Sequence, residues 1–142
     1  MFTPTKTTIR VLALFSLIAT LGPLTVKAQT RIKFTVPFDF AAGKLTFAAG
    51  DYVVSKEVPS HLILIQSLRG PEKAFFVGVP SGLNKVYGTA VLTFHRYGER
   101  YFLAKFADNE SASALPLTTV EKELIAGRAS PKSLNVIASS RR

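Results

Sequence analysis

"LTFHRYGERYFLAKF", Leu92–Phe106, is the longest aromatic-rich run in the chain's C-terminal half and carries its clearest strand signal. Two runs rich in Leu, Thr, Phe and Tyr flank one glycine, Gly98, the pattern of a β-hairpin. The expected loop is three residues, Arg96-Tyr97-Gly98, with Gly98 in the left-handed position. The two-residue alternative, Tyr97-Gly98, puts a bulky tyrosine at positive φ, which is unfavourable. The three-residue loop sets His95 opposite Glu99, Phe94 opposite Arg100, Thr93 opposite Tyr101 and Leu92 opposite Phe102. Opposite residues share a face. Leu92, Phe94, Phe102, Ala104 and Phe106 then form a core face, and Val91, Thr93, His95, Glu99, Tyr101, Leu103 and Lys105 the other.

Outward from this hairpin the dominant period remains two. "RIKFTVPFDF" places Ile32, Phe34, Val36, Phe38 and Phe40 on one parity, as in a half-buried strand. Pro37 cannot donate to a sheet ladder, so it marks an edge strand or its end. "FAAGK" (Phe40–Lys44) and "FAAGD" (Phe47–Asp51) are two glycine turns separated by a short strand, "KLTF". Further strands are expected at Asp51–Val58, His61–Leu68, Lys73–Val79, Val86–Arg96 and Glu99–Phe106, punctuated by Gly and Pro. The spacing predicts an all-β fold, a small antiparallel barrel or sandwich of about 7–8 strands with one short C-terminal helix. "ADNESASALP" (Ala107–Pro116) loses the pattern and reads as a loop. Thr118 with Glu121 three residues later is a capping box. It opens a helix with Val120, Leu124 and Ile125 as its apolar stripe and Gly127 as its stop.

The ends set the organisation. Lys6 and Arg10 precede an apolar run, Val11–Leu24, of 14 residues, shorter than the roughly 20 a spanning helix needs. Val26 and Ala28 then fit a signal-peptidase site. The expected division is a cleaved signal peptide at 1–28, one β-rich domain at 29–127 and a flexible basic tail at 128–142. Three of the 18 basic groups (Lys6, Arg10, Lys27) leave with the signal, lowering the charge from +9 to +6. Four more (Arg128, Lys132, Arg141, Arg142) belong to the tail, so the body carries only +2. The absence of cysteine excludes disulfides, thiolate metal sites and a cysteine nucleophile. With export, it points to a bacterial envelope, periplasmic or extracellular.

"VPFDF" (Val36–Phe40), the "AG" turn and "AGDYVV" (Ala49–Val54) resemble the N-terminal half of a family of small exported bacterial, mainly acidobacterial, proteins of unknown function. "LTFHRYGERYFL" (Leu92–Leu103), which carries the FHRYG-x-x-YFL motif, and "LPLTTVEKEL" (Leu115–Leu124) resemble its C-terminal half. The family's second turn reads Leu-Pro-Ala-Gly, where this chain has Phe47-Ala48-Ala49-Gly50. Loss of the proline loosens the turn by tenths of a kcal/mol to about 1. The resemblance implies an exported β-rich domain and assigns no activity.

Candidate chemistry is sparse. His95 and Glu99 pair as base and orienter in the expected register, with Tyr101 and Thr93 on the same face, but no G-x-S-x-G or other nucleophile motif accompanies them. A hairpin-tip charge pair explains them as well. His61 and His95 are the only histidines, and no metal-ligand spacing or cofactor motif occurs, so neither metal nor cofactor is expected. Asp108, Asn109 and Glu110 lack the alternation of a calcium loop and read as a solvated turn. Arg96, Tyr97, Arg100 and Tyr101 interleave base and aromatic, yet the near-neutral body argues against nucleic acid. The strands fall short of the 9–11 residues of a transmembrane barrel, so no membrane span is expected after signal cleavage.

The expected function is non-catalytic binding of an envelope protein or of an apolar or glycan ligand. His95, Arg96, Tyr97, Glu99 and Tyr101 form the candidate surface. Two other classes stay open: a hydrolase using His95 and Glu99, and a structural protein that self-associates through the edge strand near Pro37.

Overall fold

The computed structural model describes residues 22, 31–57, 61–82 and 88–139. The expected signal peptide, apart from Gly22, lies outside the described residues. The elements are β1 (Arg31–Val36), β2 (Phe40–Ala42), β3 (Leu45–Phe47), β4 (Gly50–Glu57), β5 (Leu62–Ser67), β6 (Lys73–Val77), β7 (Val79–Pro80), β8 (Val91–Tyr97), β9 (Arg100–Ala107), β10 (Ala112–Ala114), α1 (Thr119–Ala126) and β11 (Lys132–Ile137). One sheet runs β1-β4-β5-β6 and the other β11-β8-β9-β10-β7, with the β2–β3 hairpin joined to β9. The sheets curl into a half-barrel, the all-β architecture that the strand spacing predicts.

Local chemistry explains the path. Pro37 ends β1, and Phe34, Val36 and Phe40 are buried as the period-two reading expects. Gly43 supplies the positive φ (60°) that turns β2 into β3. Phe40 packs its ring against Phe47 (5.2 Å), Tyr52 (5.3 Å) and Phe94 (5.1 Å), tying the β2–β3 hairpin, the first sheet and the second into one core. Each such buried phenylalanine contributes about 1.5–3 kcal/mol.

Gly78 lies between β6 and β7, where the chain leaves the first sheet and enters the second. A Cβ there would stand 2.7 Å from that of Ser113 and 3.0 Å from Ile63 Cδ1, so only glycine lets the corner close.

Several expectations are corrected. The hairpin loop is Gly98-Glu99: Tyr97 pairs with Arg100, Arg96 with Tyr101 and His95 with Phe102. Gly98, with φ of 62°, is the first loop residue, as in a type II′ turn, so Tyr97 escapes positive φ altogether. A shift between Thr93 and Phe94 leaves Ala104 as the extra residue of a bulge in β9. The bulge exchanges parity, so Leu103 and Phe106 both reach the core cluster while Phe102 is buried on the opposite face.

The supposed loop contains β10, whose Ala-Ser-Ala carries no strand signal and is held by pairing to β9 and β7. The supposed flexible tail contains β11, in register with β8 from Lys132↔Arg96 to Ile137↔Val91. Among the described residues there are eleven strands, rather than about 7–8, because four (β2, β3, β7 and β10) are only two or three residues long. One pair, β2–β9, is parallel.

Candidate functional site

The register divides the candidate surface residues between two faces. Arg96 and Tyr101 share one, with the Arg96 guanidinium 5.6 Å over the Tyr101 ring and Tyr101 stacked on Phe38 at 3.9 Å. Arg96 also donates to the Gly98 carbonyl at 2.6 Å. His95 and Tyr97 lie on the opposite face with Phe102, whose ring is 5.7 Å from that of Tyr97. Glu99 sits at the exposed tip, away from His95. The same division separates Arg96 and Tyr101 from Tyr97 and Arg100, so the basic and aromatic residues do not form one strip.

The carboxylate beside His95 is Glu121. His95 Nδ1 donates to Glu121 Oε1 at 3.3 Å, and Glu121 Oε2 accepts from the Thr118 N–H at 2.9 Å. The Thr118 hydroxyl accepts in turn from the Glu121 N–H at 3.1 Å. One carboxylate thus caps α1 and fastens it to β8, both oxygens engaged. Glu121 is 1% exposed and is the one buried residue of the helix, while the expected Val120–Leu124–Ile125 stripe is only half-buried or exposed. Gly127 caps the C-terminus with φ of −77°, and Arg128 takes the left-handed conformation beside it.

Tyr97 is 6% exposed and its hydroxyl has no hydrogen-bond partner among the described residues. Burial raises its pKa, and the negative charge of Glu121 adds to the effect. Thr93, the hydroxyl nearest His95 along the strand, is held by Asn135 at 2.9 Å. The face therefore contains a base, a carboxylate and a phenol, each with a packing or capping role. His61 lies on the other sheet, at the entry to β5.

Asp108 has a cationic neighbour that the sequence reading missed. Its Oδ1 accepts from the N–H groups of Glu110 (2.9 Å) and Ser111 (2.8 Å), while Oδ2 faces Lys56 Nζ at 3.4 Å. Lys56 points inward from β4, buried, and also bonds the Ser111 hydroxyl. Alternation along Tyr52, Val54 and Lys56 was the available signal, since it puts the lysine on the core face. Among the described residues no three His, Cys, Asp or Glu side chains are grouped to hold a metal.

An apolar cleft lies elsewhere, where β6 ends the first sheet. A cleft of about 370 Å³ opens between β6 and the strap that runs from Leu115 to Thr119, floored by Phe76 and Gly43. Phe75 (58% exposed), Val77 (66%) and Leu117 (40%) stand around it. A solvated antiparallel sheet face is normally polar, so this cluster calls for a partner.

Beyond Lys44, Thr118 and Thr119 a second cleft, of about 320 Å³, continues under the first turn of α1 to Thr46, Arg100 and Phe102. The two clefts share Gly43, Lys44, Thr118 and Thr119, and no carboxylate lines either. Sequence reading missed this surface because β6, the turn at Gly43 and the strap are distant in the chain. The one available signal was "AFFVGV", apolar on both parities.

The fold and these clefts define a small β half-barrel with one capped helix and a ligand-sized opening at the end of its first sheet. No protein-family model, curated protein or solved structure matches the chain.

Proposed function

We propose that the protein is an exported, non-catalytic binding domain of the bacterial envelope, and that it holds an apolar ligand in the cleft between β6 and the Leu115–Thr119 strap. The observation that carries this reading is the exposure of Phe75, Val77 and Leu117 around one cavity of about 370 Å³. That volume lies within the usual 300–1,000 Å³ of small-molecule sites, which are mostly apolar with a few polar groups. The other candidate, the His95 face, supports attachment of α1 more than chemistry, because Glu121 spends both oxygens on His95 and the helix cap. The hairpin residues split across two faces, which favours the cleft over the hairpin as the binding surface.

The test is displacement of a neutral apolar fluorophore, N-phenyl-1-naphthylamine, from the purified protein. Val77→Asp should abolish its binding, while Arg96→Ala leaves it unchanged. Loss in Arg96→Ala with retention in Val77→Asp would move the site to the hairpin. Export is tested separately: the protein recovered from the envelope should begin at Gln29 by mass spectrometry.

A further inference from the structure

We infer that the ligand is a single-chain anionic amphiphile with a carboxylate head, its apolar chain in the β6 cleft and its head between Lys44 and Arg100. This rests on the cleft reading above and adds the polar end of the ligand. The argument is charge complementarity across two adjoining clefts that share Gly43, Lys44, Thr118 and Thr119. The first cleft is walled by Phe75, Phe76, Val77 and Leu117. Past the shared wall of Lys44, Thr118 and Thr119, the second is lined by Arg100 and the Thr46 hydroxyl, with no acid among its lining residues.

Neither Lys44 nor Arg100 has an ion-pair partner among the described residues. The Arg100 guanidinium lies 5.5 Å over the Phe102 ring, which orients a planar fork of donors beside the cavity. Such a fork takes both oxygens of a carboxylate in parallel, and a flexible ammonium can approach the same anion as a point charge. Thr119 and Val120, at the start of α1, add backbone N–H groups without intrahelical acceptors. A neutral apolar ligand would leave these donors to water and gain nothing from them. A cationic one would be repelled.

The experiment is calorimetric titration of the delipidated protein with dodecanoate, dodecanol, dodecyl phosphate and dodecyltrimethylammonium, each below its aggregation concentration. Dodecanoate should bind about tenfold more tightly than dodecanol, the size of one or two charge-assisted hydrogen bonds. The difference should shrink with added salt. The pair Lys44→Gln and Arg100→Gln should remove that difference and leave dodecanol binding intact, with an unchanged circular dichroism spectrum as the folding control. Val77→Asp should weaken both ligands.

Equal binding of dodecanoate and dodecanol, or comparable binding of the ammonium compound, overturns the anionic head while the cleft reading stands. Tighter binding of dodecyl phosphate than of dodecanoate overturns the carboxylate assignment. Binding of none of the four overturns the cleft itself.

Discussion

Replacing Glu121 tests the attachment of α1 to the sheet. In Glu121→Ala the Thr118 N–H loses its acceptor at 2.9 Å, and His95 Nδ1 loses its own at 3.3 Å. The truncation also empties a site that is only 1% exposed. Losing one side of a helix cap costs about 1 kcal/mol. A hydrogen bond to a charged group is worth about 1.5–3 kcal/mol, but removing a buried carboxylate returns part of its desolvation cost. His95 and Thr118 both retain some contact with solvent, which softens the loss further.

The net expectation is a destabilisation of about 2 kcal/mol, which for a domain near this size lowers Tm by roughly 8–15 °C. Glu121→Gln keeps an acceptor for Thr118, since glutamine serves in a capping box, and should cost less than about 1 kcal/mol. Thr118→Ala removes the reciprocal bond and should fall between the two, at about 1 kcal/mol. Thermal unfolding followed by far-ultraviolet circular dichroism resolves the order. If Glu121→Ala unfolds within a degree or two of the parent, the carboxylate does not fasten the helix. If Glu121→Gln is as damaging as alanine, the charge rather than the cap holds it, and the reasoning fails.

Other outcomes follow from single positions. Tyr97→Phe removes a buried hydroxyl without a partner and should stabilise the protein by about 1 kcal/mol, read from the chemical-denaturation midpoint. Burial and Glu121 raise the pKa of Tyr97 above its ordinary 10.0, so the parent is unaffected by this group below pH 10 and loses stability as pH rises from there through the folded value; an alkaline decline equally steep in Tyr97→Phe would contradict this. Gly98→Ala meets no atom within 4 Å, so its cost is conformational alone, about 1–2 kcal/mol at φ of 62°; a neutral result in urea unfolding would rule out the left-handed turn. Gly78→Ala should cost about 1–3 kcal/mol by overpacking against Ser113 and Ile63, and Ser113→Gly in the same chain should recover part of it; a double variant no more stable than the single would place the strain elsewhere.

Much of the architecture is legible in the sequence because burial imposes a period of two. Phe34, Val36 and Phe40, the strands at Gly50–Glu57 and Leu62–Ser67, and the Thr118–Glu121 cap all follow from residue type and spacing. What escaped was set by partners distant in the chain. Ala112–Ala114 has no intrinsic strand preference and becomes β10 only between β9 and β7. Lys132–Ile137 looks like a basic tail until Leu134 and Val136 find Phe94 and Leu92 opposite them. The loop is Gly98-Glu99 rather than Arg96-Tyr97-Gly98 because a type II′ turn wants glycine first, which lets Tyr97 remain in its strand. An odd change of register flips side chains between faces, so this shift of three residues replaced Glu99 by Phe102 opposite His95.

The same geometry explains why an opening lies beside β6. At Gly78 the strand crosses from the first sheet to the second, so β6 has β5 on one side and, among the described residues, no strand on the other. Phe76 spans part of that gap, its ring 3.0 Å from where a Cβ on Gly43 would stand. The strap from Leu115 to Thr119 covers another part, anchored at one end by the Leu115 N–H to Ala104 carbonyl bond (2.8 Å) and at the other by the helix cap. Edge strands are usually blunted by charge, a bulge or a covering element. Here the edge carries Phe75 and Val77 outward, and the residues facing it across the gap lead directly to Lys44 and the start of α1. The glycine that lets the barrel wall turn a corner therefore leaves its seam incomplete, and the apolar cleft and its cationic extension lie along that seam.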